Sequence, residues 1–284
     1  MMSVRCAGIH WNSTKQTGVE VAQRLIGMLR QRSVRICVDE ELANQLNDPS
    51  LATDTFEECE ILFVLGGDGT ILSALDRAIP YDIPILGINL GRMGFLTELE
   101  IGDLDDDAID RALCGDYEID ARMTMCVEGK DPMRMFALND IIITRATAAV
   151  RVLSLEYEAD GTLIDRVSGD GLIVATATGS TAYSLSSGGP IVLPGLGCFV
   201  LTPVCPHKLN ARPVVLSSDH RITVRMMDDR GGAQAVLDGR RVIPMDEQGV
   251  SITIRRSERQ ARFIRLKDRN YLTLLRSKLS EWTH

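Results

Sequence analysis

Residues 61–78, ILFVLGGDGTILSALDRA, decide how this chain is read. Five apolar residues, Ile61 to Leu65, stop at Gly66-Gly67, and Asp68, Gly69 and Thr70 follow. Apolar residues then return at Ile71, Ala74, Leu75, Ala78 and Ile79, the spacing of one helix face. The stretch therefore predicts a buried strand, a glycine turn and a helix. Such a turn lets backbone N–H groups approach a phosphate at a helix N-terminus. Asp68 places one carboxylate between glycines beside that cradle, where nothing is expected to shield it from a ligand, a pairing suited to phosphoryl transfer.

The pattern on either side extends this unit. RCAGIH (5–10) and VRICVD (34–39) read as strands, with Ala22, Leu25, Ile26 and Leu29 on one helix face between them. IPILGIN (83–89) reads as a further strand. Alternating β and α elements imply a parallel sheet covered by helices, with ligands beyond the carboxyl ends of the strands. Both Gly66–Gly69 and Asn89-Leu90-Gly91 fall there. The acidic run DLDDDAID (103–110) reads as the solvated start of a helix burying Ile109 and Leu113.

From about residue 120 the pattern changes to short β-type runs: MFALNDIIIT, RVLSLEYEAD, GTLIDRV, LIVAT, VVLSS, RITVRM, AVLD, RRVIPM, SITIRR and ARFIRL. The expected fold is an α/β N-terminal domain (parallel sheet with flanking helices) at 1–120, followed by a β-rich, sandwich-like C-terminal domain at 121–265. A helical segment at 266–284, with Leu272, Leu275 and Leu279 in register, is expected to return to the first domain.

Asp-Gly pairs need sorting, because most are hairpin turns. Asp160-Gly161 and Asp238-Gly239 lie between strand-like runs and read as turns. Asp68-Gly69 is followed by a helical pattern that no hairpin produces. Asp170-Gly171 is open to either reading. The run Thr176 to Ser184 (TATGSTAYS) combines small residues that admit a ligand, hydroxyls that bond it and a Tyr183 ring that can stack on it. It equally suits a helix start. Asn139-Asp140, between two strand-like halves, reads locally as a turn.

A net charge of −8 argues against coating nucleic acid or a membrane surface. No secretory pattern occupies the first 30 residues. Seven cysteines form no CxxC pair and share no ligand spacing with the four histidines, so they read as free thiols in a reducing cytoplasm and not as a zinc site. P-loop, GxGxxG and GxSxG motifs are absent.

GGDGT (66–70), NLGRMGFL (89–96), ALND (137–140), DGLIVATATGSTAYSLSSGGPIV (170–192), LTPVCPHKLNARPVVL (201–216) and FIRLKDRNYLTLLRSKL (263–279) occur in this order. Together they resemble the ATP-dependent NAD kinase family over nearly the whole chain. The resemblance implies transfer of the ATP γ-phosphoryl group, with a divalent ion such as magnesium, to the 2′-hydroxyl of the adenosine ribose of NAD. Matched by motif, Asp68 is the implied general base, and Gly66, Gly67, Gly69 and Thr70 bind phosphate. Phe95, Asn139, Asp140, Asp170, Thr181, Ala182, Tyr183 and Ser186 would line the NAD site; no residue is assigned to a metal. A cytoplasmic homodimer or homotetramer is implied, with neighbouring subunits completing the NAD pocket. Departures are Ala177 where the family often has proline, Arg240 where glutamine commonly follows Asp-Gly, and Asp140 where glutamate is frequent. A lipid kinase carrying the same GGDG string would call for an apolar or basic membrane face, and a non-catalytic dinucleotide sensor could dispense with Asp68.

Overall fold

The computed structural model describes residues 4–53, 55–91, 94–146, 152–227, 232–245, 250–267 and 270–281. Arg92 and Met93 of the NLGRMGFL segment lie outside them. The chain divides into two compact units, residues 1–121 with 261–284, and residues 122–260.

The first unit runs β1 (Cys6–Trp11), α1 (Thr17–Gln31), β2 (Arg35–Val38), α2 (Glu40–Gln45), β3 (Ile61–Leu65), α3 (Asp68–Ala78), β4 (Ile85–Asn89), β5 (Leu99–Glu100) and α4 (Asp106–Cys114). Strands β2, β1, β3 and β4 pair in parallel, with Ile9 beside both Val38 and Phe63, and Phe63 beside Leu86. All five residues of β3 are buried, as expected of a strand covered on both faces. Ala22, Leu25, Ile26 and Leu29 of α1 join that core, as do Ile109 and Leu113 of α4. The Asp105 carboxylate caps α4 by accepting from the Ala108 N–H at 2.9 Å.

The second unit is built from two antiparallel sheets. Its elements are β6 (Glu118–Val127, which begins in the first unit), β7 (Phe136–Ala137), β8 (Asp140–Arg145), β9 (Leu153–Ala159), β10 (Thr162–Gly169), β11 (Gly171–Thr176), α5 (Tyr183–Ser186), β12 (Cys198–Val204), β13 (Val214–Ser217), β14 (Ile222–Met226), β15 (Ala233–Leu237), β16 (Arg241–Met245) and β17 (Ser251–Arg265). One sheet has the order β13-β12-β11-β8-β15-β16; in the other β10, β9, β14 and β17 are successive neighbours. Leu155, Val224 and Ile252 from one pack with Ile141, Val174, Leu201 and Ala235 from the other in a common core, the sandwich-like arrangement expected of the β-rich half.

Three strand readings differ from the sequence pattern. β17 is one strand of 15 residues, not two runs, because the charged residues of SERQ occupy exposed and half-exposed positions without breaking it. β6 and β12 were not anticipated. Pro203 disguises β12, yet β13 pairs only with Cys198–Leu201. The missing N–H of Pro203 therefore falls beyond that ladder.

The chain returns to the first unit through Phe263, which pairs in parallel with Ile85, and ends in α6 (Tyr271–Glu281). In α6 the expected apolar stripe is not a buried face: Leu272 and Leu279 are exposed, and the buried residue is Lys278. All seven cysteines are free thiols; Cys6, Cys59, Cys126 and Cys198 are buried, Cys37 is half-buried, and Cys114 and Cys205 are exposed. Among the described residues no helix is long and apolar enough to cross a membrane.

Candidate active site

The glycine turn sits where β3 hands over to α3. Gly67 occupies the N-cap of α3 without a side-chain cap, so the first N–H groups of the helix point outward with no intrahelical partner. A Cβ added at Gly67 or Gly69 would meet nothing within 4 Å, whereas one at Gly66 would lie 2.2 Å from Thr70 Oγ1. The outer two glycines thus leave room above the backbone, and Gly66 lets Thr70 pack beneath it.

Asp68 is not the unshielded carboxylate that its glycine neighbours suggested. Its Oδ2 accepts from the Phe95 N–H at 2.8 Å and its Oδ1 from the Leu96 N–H at 3.0 Å. A Cβ at Gly94 would stand 2.0 Å from Asp68 Oδ1, so the loop closes on this carboxylate only because residue 94 has no side chain. That loop is braced in turn. Arg265 donates to the Leu96 carbonyl at 3.1 Å and pairs with the buried Glu98 and with Asp120. Glu98 also accepts from the Leu266 and Lys267 N–H groups. The Phe95 ring lies 5.9 Å from that of Tyr271.

Beside the turn is a polar cleft lined by His10, Asn12, Asp39, Gly69, Ser73 and Arg77, among others. Arg77 donates to His10 Nδ1 at 2.9 Å and to Asp39 Oδ2 at 3.0 Å. With Nδ1 accepting, His10 Nε2 donates to Ser73 Oγ at 2.8 Å, and Ser73 donates to the Thr70 carbonyl at 2.7 Å. These donors were missed in the sequence, although Thr70, Ser73 and Arg77 carry a signal: their i, i+3, i+7 spacing marks the polar face of α3.

In the second unit the fold gathers Asn139, Asp140, the Thr176–Ser186 segment and Asp238. Thr176 donates from Oγ1 to the Leu138 carbonyl at 2.6 Å, and its N–H reaches the Asn139 carbonyl at 2.9 Å. A Cβ at Gly179 would lie 2.0 Å from that same carbonyl oxygen. Ser180 ties the segment to Val192 through both backbone groups. Thr181 and Ala182 are half-buried, Ser186 is exposed, and Tyr183 presents its ring at 45% exposure. Asp170 is not brought to this group. It is exposed and precedes β11, whereas Thr176 ends that strand, roughly 20 Å away at ~3.3 Å per residue.

Asp238 was read as a hairpin residue, and it is one, with φ of 47° ahead of Gly239 at 67°. Its carboxylate does more. It turns inward and accepts from the N–H groups of Leu138, Asn139 and Asp140 at 2.7, 2.8 and 3.1 Å. Burial, with Asp238 alongside, pushes Asp140 up to about 7. Burial also raises Asp238, opposed by its three backbone donors.

Residues 7–117 match the ATP-NAD kinase N-terminal domain and residues 138–266 the ATP-NAD kinase C-terminal domain. The chain belongs to the ATP-NAD kinase family. As a member it is an enzyme that phosphorylates NAD with ATP. It is 38% identical to the NAD kinase of Heliobacterium modesticaldum over 96% of this chain and 98% of that one. Against the NAD kinase of Moorella thermoacetica the identity is 39%, covering 96% and 89%. An Archaeoglobus fulgidus NAD kinase in complex with ATP superposes with a TM-score of 0.77 at 29% identity, covering 97% and 98% of the two chains. Yeast NADH kinase complexed with NADH gives 0.82 at 25% identity, covering 95% and 85%. In this kinase the phosphate-type turn thus belongs to the first unit, and the clamped Asn139-Asp140 pair to the second.

Proposed function

We propose that this kinase transfers the γ-phosphoryl group of ATP to the 2′-hydroxyl of the adenosine ribose of NAD, with Asp68 accepting the hydroxyl proton. The observation that carries the reading is the Asp68 carboxylate, fixed at an open glycine turn by two backbone N–H groups. In the transfer the ribose O–H bond breaks and its oxygen bonds the γ-phosphorus as the bond to the bridging oxygen breaks. The proton passes to Asp68 and ADP leaves. Phosphoryl transfer depends on positioning and charge stabilisation more than on covalent help from the protein. A carboxylate is a weak base toward a sugar hydroxyl, so proton transfer comes late and the orientation of Asp68 carries much of its value.

Residues 1–120 would handle the donor phosphates through Gly66, Gly67, Gly69 and Thr70, and 121–265 would hold NAD, with 266–284 returning to the first part. Asn139, Asp140, Thr181, Ala182, Tyr183 and Ser186 would line the dinucleotide. Among the described residues the one cluster with three ligand atoms is of thiols, unsuited to magnesium, which prefers oxygen donors and phosphates. Magnesium would be carried by the ATP phosphates, with Asp68 the nearest carboxylate in sequence to the phosphate turn, and would neutralise charge on those phosphates.

The position of Asp170 supports an oligomer. Lying at the far end of β11 from Tyr183, it reaches a dinucleotide only if a second copy shares the pocket. Exposed Leu193, Leu196 and Leu209 offer apolar surface for such a contact. A cytoplasmic location fits the free thiols.

The test is Asp68→Asn, assayed with MgATP and NAD for NADP formation. Turnover should fall by ~10²-fold or more, with the circular dichroism spectrum retained and NAD still bound by calorimetry. Turnover near that of the wild type would refute the assignment.

A further inference from the structure

Three cysteines far apart in sequence meet at the amino-terminal end of the parallel sheet. Cys6 opens β1, Cys37 lies in β2, and Cys59 stands two residues before β3. Cys6 Sγ is 3.5 Å from Cys37 Sγ and 3.8 Å from Cys59 Sγ, and all three sulfurs lie within 4.8 Å of one another. A tetrahedral zinc with bonds of about 2.3 Å holds its sulfurs about 3.8 Å apart. Two of the three sulfur separations thus match those of thiolates around one ion, and the third lies within reach of it.

We propose that Cys6, Cys37 and Cys59 form a three-thiolate zinc site that ties β1, β2 and the entry to β3 together. Cys6 and Cys59 are buried, at 3% and 5% exposure, and Cys37 is half-buried, so its side is where solvent supplies the fourth ligand. Glu60 does not fill that position readily, because its carboxylate accepts from the Arg5 and Cys6 N–H groups at 2.6 and 3.2 Å. Soft and borderline ions are selected by sulfur, which excludes magnesium and calcium. Three thiolates and Zn²⁺ leave one net negative charge. A cuprous ion would leave two, which favours zinc.

Binding breaks three S–H bonds, forms three S–Zn bonds and releases three protons to solvent, with no change of oxidation state. The glycine turn follows the opposite end of β3, roughly 20 Å away at ~3.3 Å per residue. The ion therefore acts on the stability of the sheet and not on phosphoryl transfer.

The experiment uses the reduced full-length chain. Dialysed against zinc and then a weak chelator, it should retain one zinc per chain by atomic emission, and titration should release about three protons per zinc. Cobalt in place of zinc should give a thiolate-to-cobalt charge-transfer band in the near ultraviolet. Cys37→Ser, a change at a half-buried position, should weaken zinc binding on the order of 100-fold or more and abolish the zinc-dependent rise in melting temperature. NAD kinase turnover should be unchanged. Cys114→Ser and Cys205→Ser, at exposed positions, should bind as the wild type does. Absence of the cobalt band, zinc retained in Cys37→Ser, selective binding of cuprous ion, or a disulfide within the trio after oxygen-free purification would each overturn the proposal. The wild-type titrations stand even if a variant fails to fold.

Discussion

Replacing Asp140 with asparagine should make the protein more stable at alkaline pH and flatten its stability against pH. Asp140 is buried at 5% exposure. Burial first, and the neighbouring Asp238 second, push its carboxyl up from 3.8 to about 7. A carboxyl raised in the folded state contributes stability that is full below its unfolded value and is lost as pH rises through the folded one. The whole effect is about 4 kcal/mol, from a shift of roughly three units at about 1.36 kcal/mol each. Between about pH 5 and pH 8 the linkage relation assigns a loss of about 2 to 3 kcal/mol to this group alone. Four other shifted aspartates titrate below this window, whereas Asp238, raised by burial, is present in both proteins and cancels in their comparison. Asp48 is held down by Ser50 and Arg30, Asp103 by Lys267, Asp110 by Arg32, and Asp160 by the Arg221 N–H and His220. Urea unfolding of the ligand-free protein, followed by circular dichroism at both pH values, measures the difference. The wild type should lose about 2 to 3 kcal/mol more than Asp140→Asn over this window. Parallel behaviour of the two proteins, or a wild type that gains stability toward pH 8, would refute the argument. The same variant should bind NAD more weakly, since a site that keeps an ill-placed charge does so at the expense of stability.

Two further substitutions probe the supports of the site. Gly94→Ala puts a methyl group 2.0 Å from Asp68 Oδ1 and 2.4 Å from its Cγ; turnover in a coupled NADP assay should drop by ~10²-fold or more as the loop is displaced, with little change in the melting temperature. Asp238→Ala leaves the N–H groups of Leu138, Asn139 and Asp140 without their acceptor; at ~1–3 kcal/mol for each unsatisfied donor it should destabilise by about 3 to 5 kcal/mol in urea and weaken NAD binding by calorimetry.

What could be read from the sequence was whatever local periodicity and turn chemistry control. The step from Leu65 through Gly66-Gly67 to α3 is a change of period from buried strand to amphipathic helix, and the strand and helix bounds follow it closely. What could not be read depends on contacts between distant residues. The orientation of Asp68 is set by backbone N–H groups 27 and 28 residues later, donors that every residue but proline possesses and that leave no mark on composition. The thiol trio is hidden for the same reason: Cys6, Cys37 and Cys59 have no ligand spacing until parallel pairing aligns β1 with β2 and β3. α6 shows the converse, where a helical stripe of leucines is plain in the sequence but does not form a buried face.

The two Asp-Gly hairpins show how far each kind of reading reaches. Asp160 and Asp238 have nearly the same backbone, with φ of 48° and 47°, each followed by a glycine in the left-handed region. Local chemistry dictates that much, because an Asp-Gly pair suits a turn with positive φ at both central positions, whether the loop has two residues, as at Asp160, or three, as at Asp238. The carboxylates then part company. Asp160 turns to the surface and meets His220 and the Arg221 N–H at 2.6 and 2.9 Å, contacts that solvent screens. Asp238 turns inward onto residues 138–140, where burial makes each charge-assisted bond matter and raises the proton affinity of Asp140. A turn motif can therefore be assigned from its dipeptide, whereas its role depends on which sheet edge the hairpin overlies. In this kinase β15 lies beside β8 with Leu237 opposite Ile141. That register delivers the Asp238 carboxylate to the backbone at the start of β8 and makes an ordinary hairpin the support of a candidate binding site.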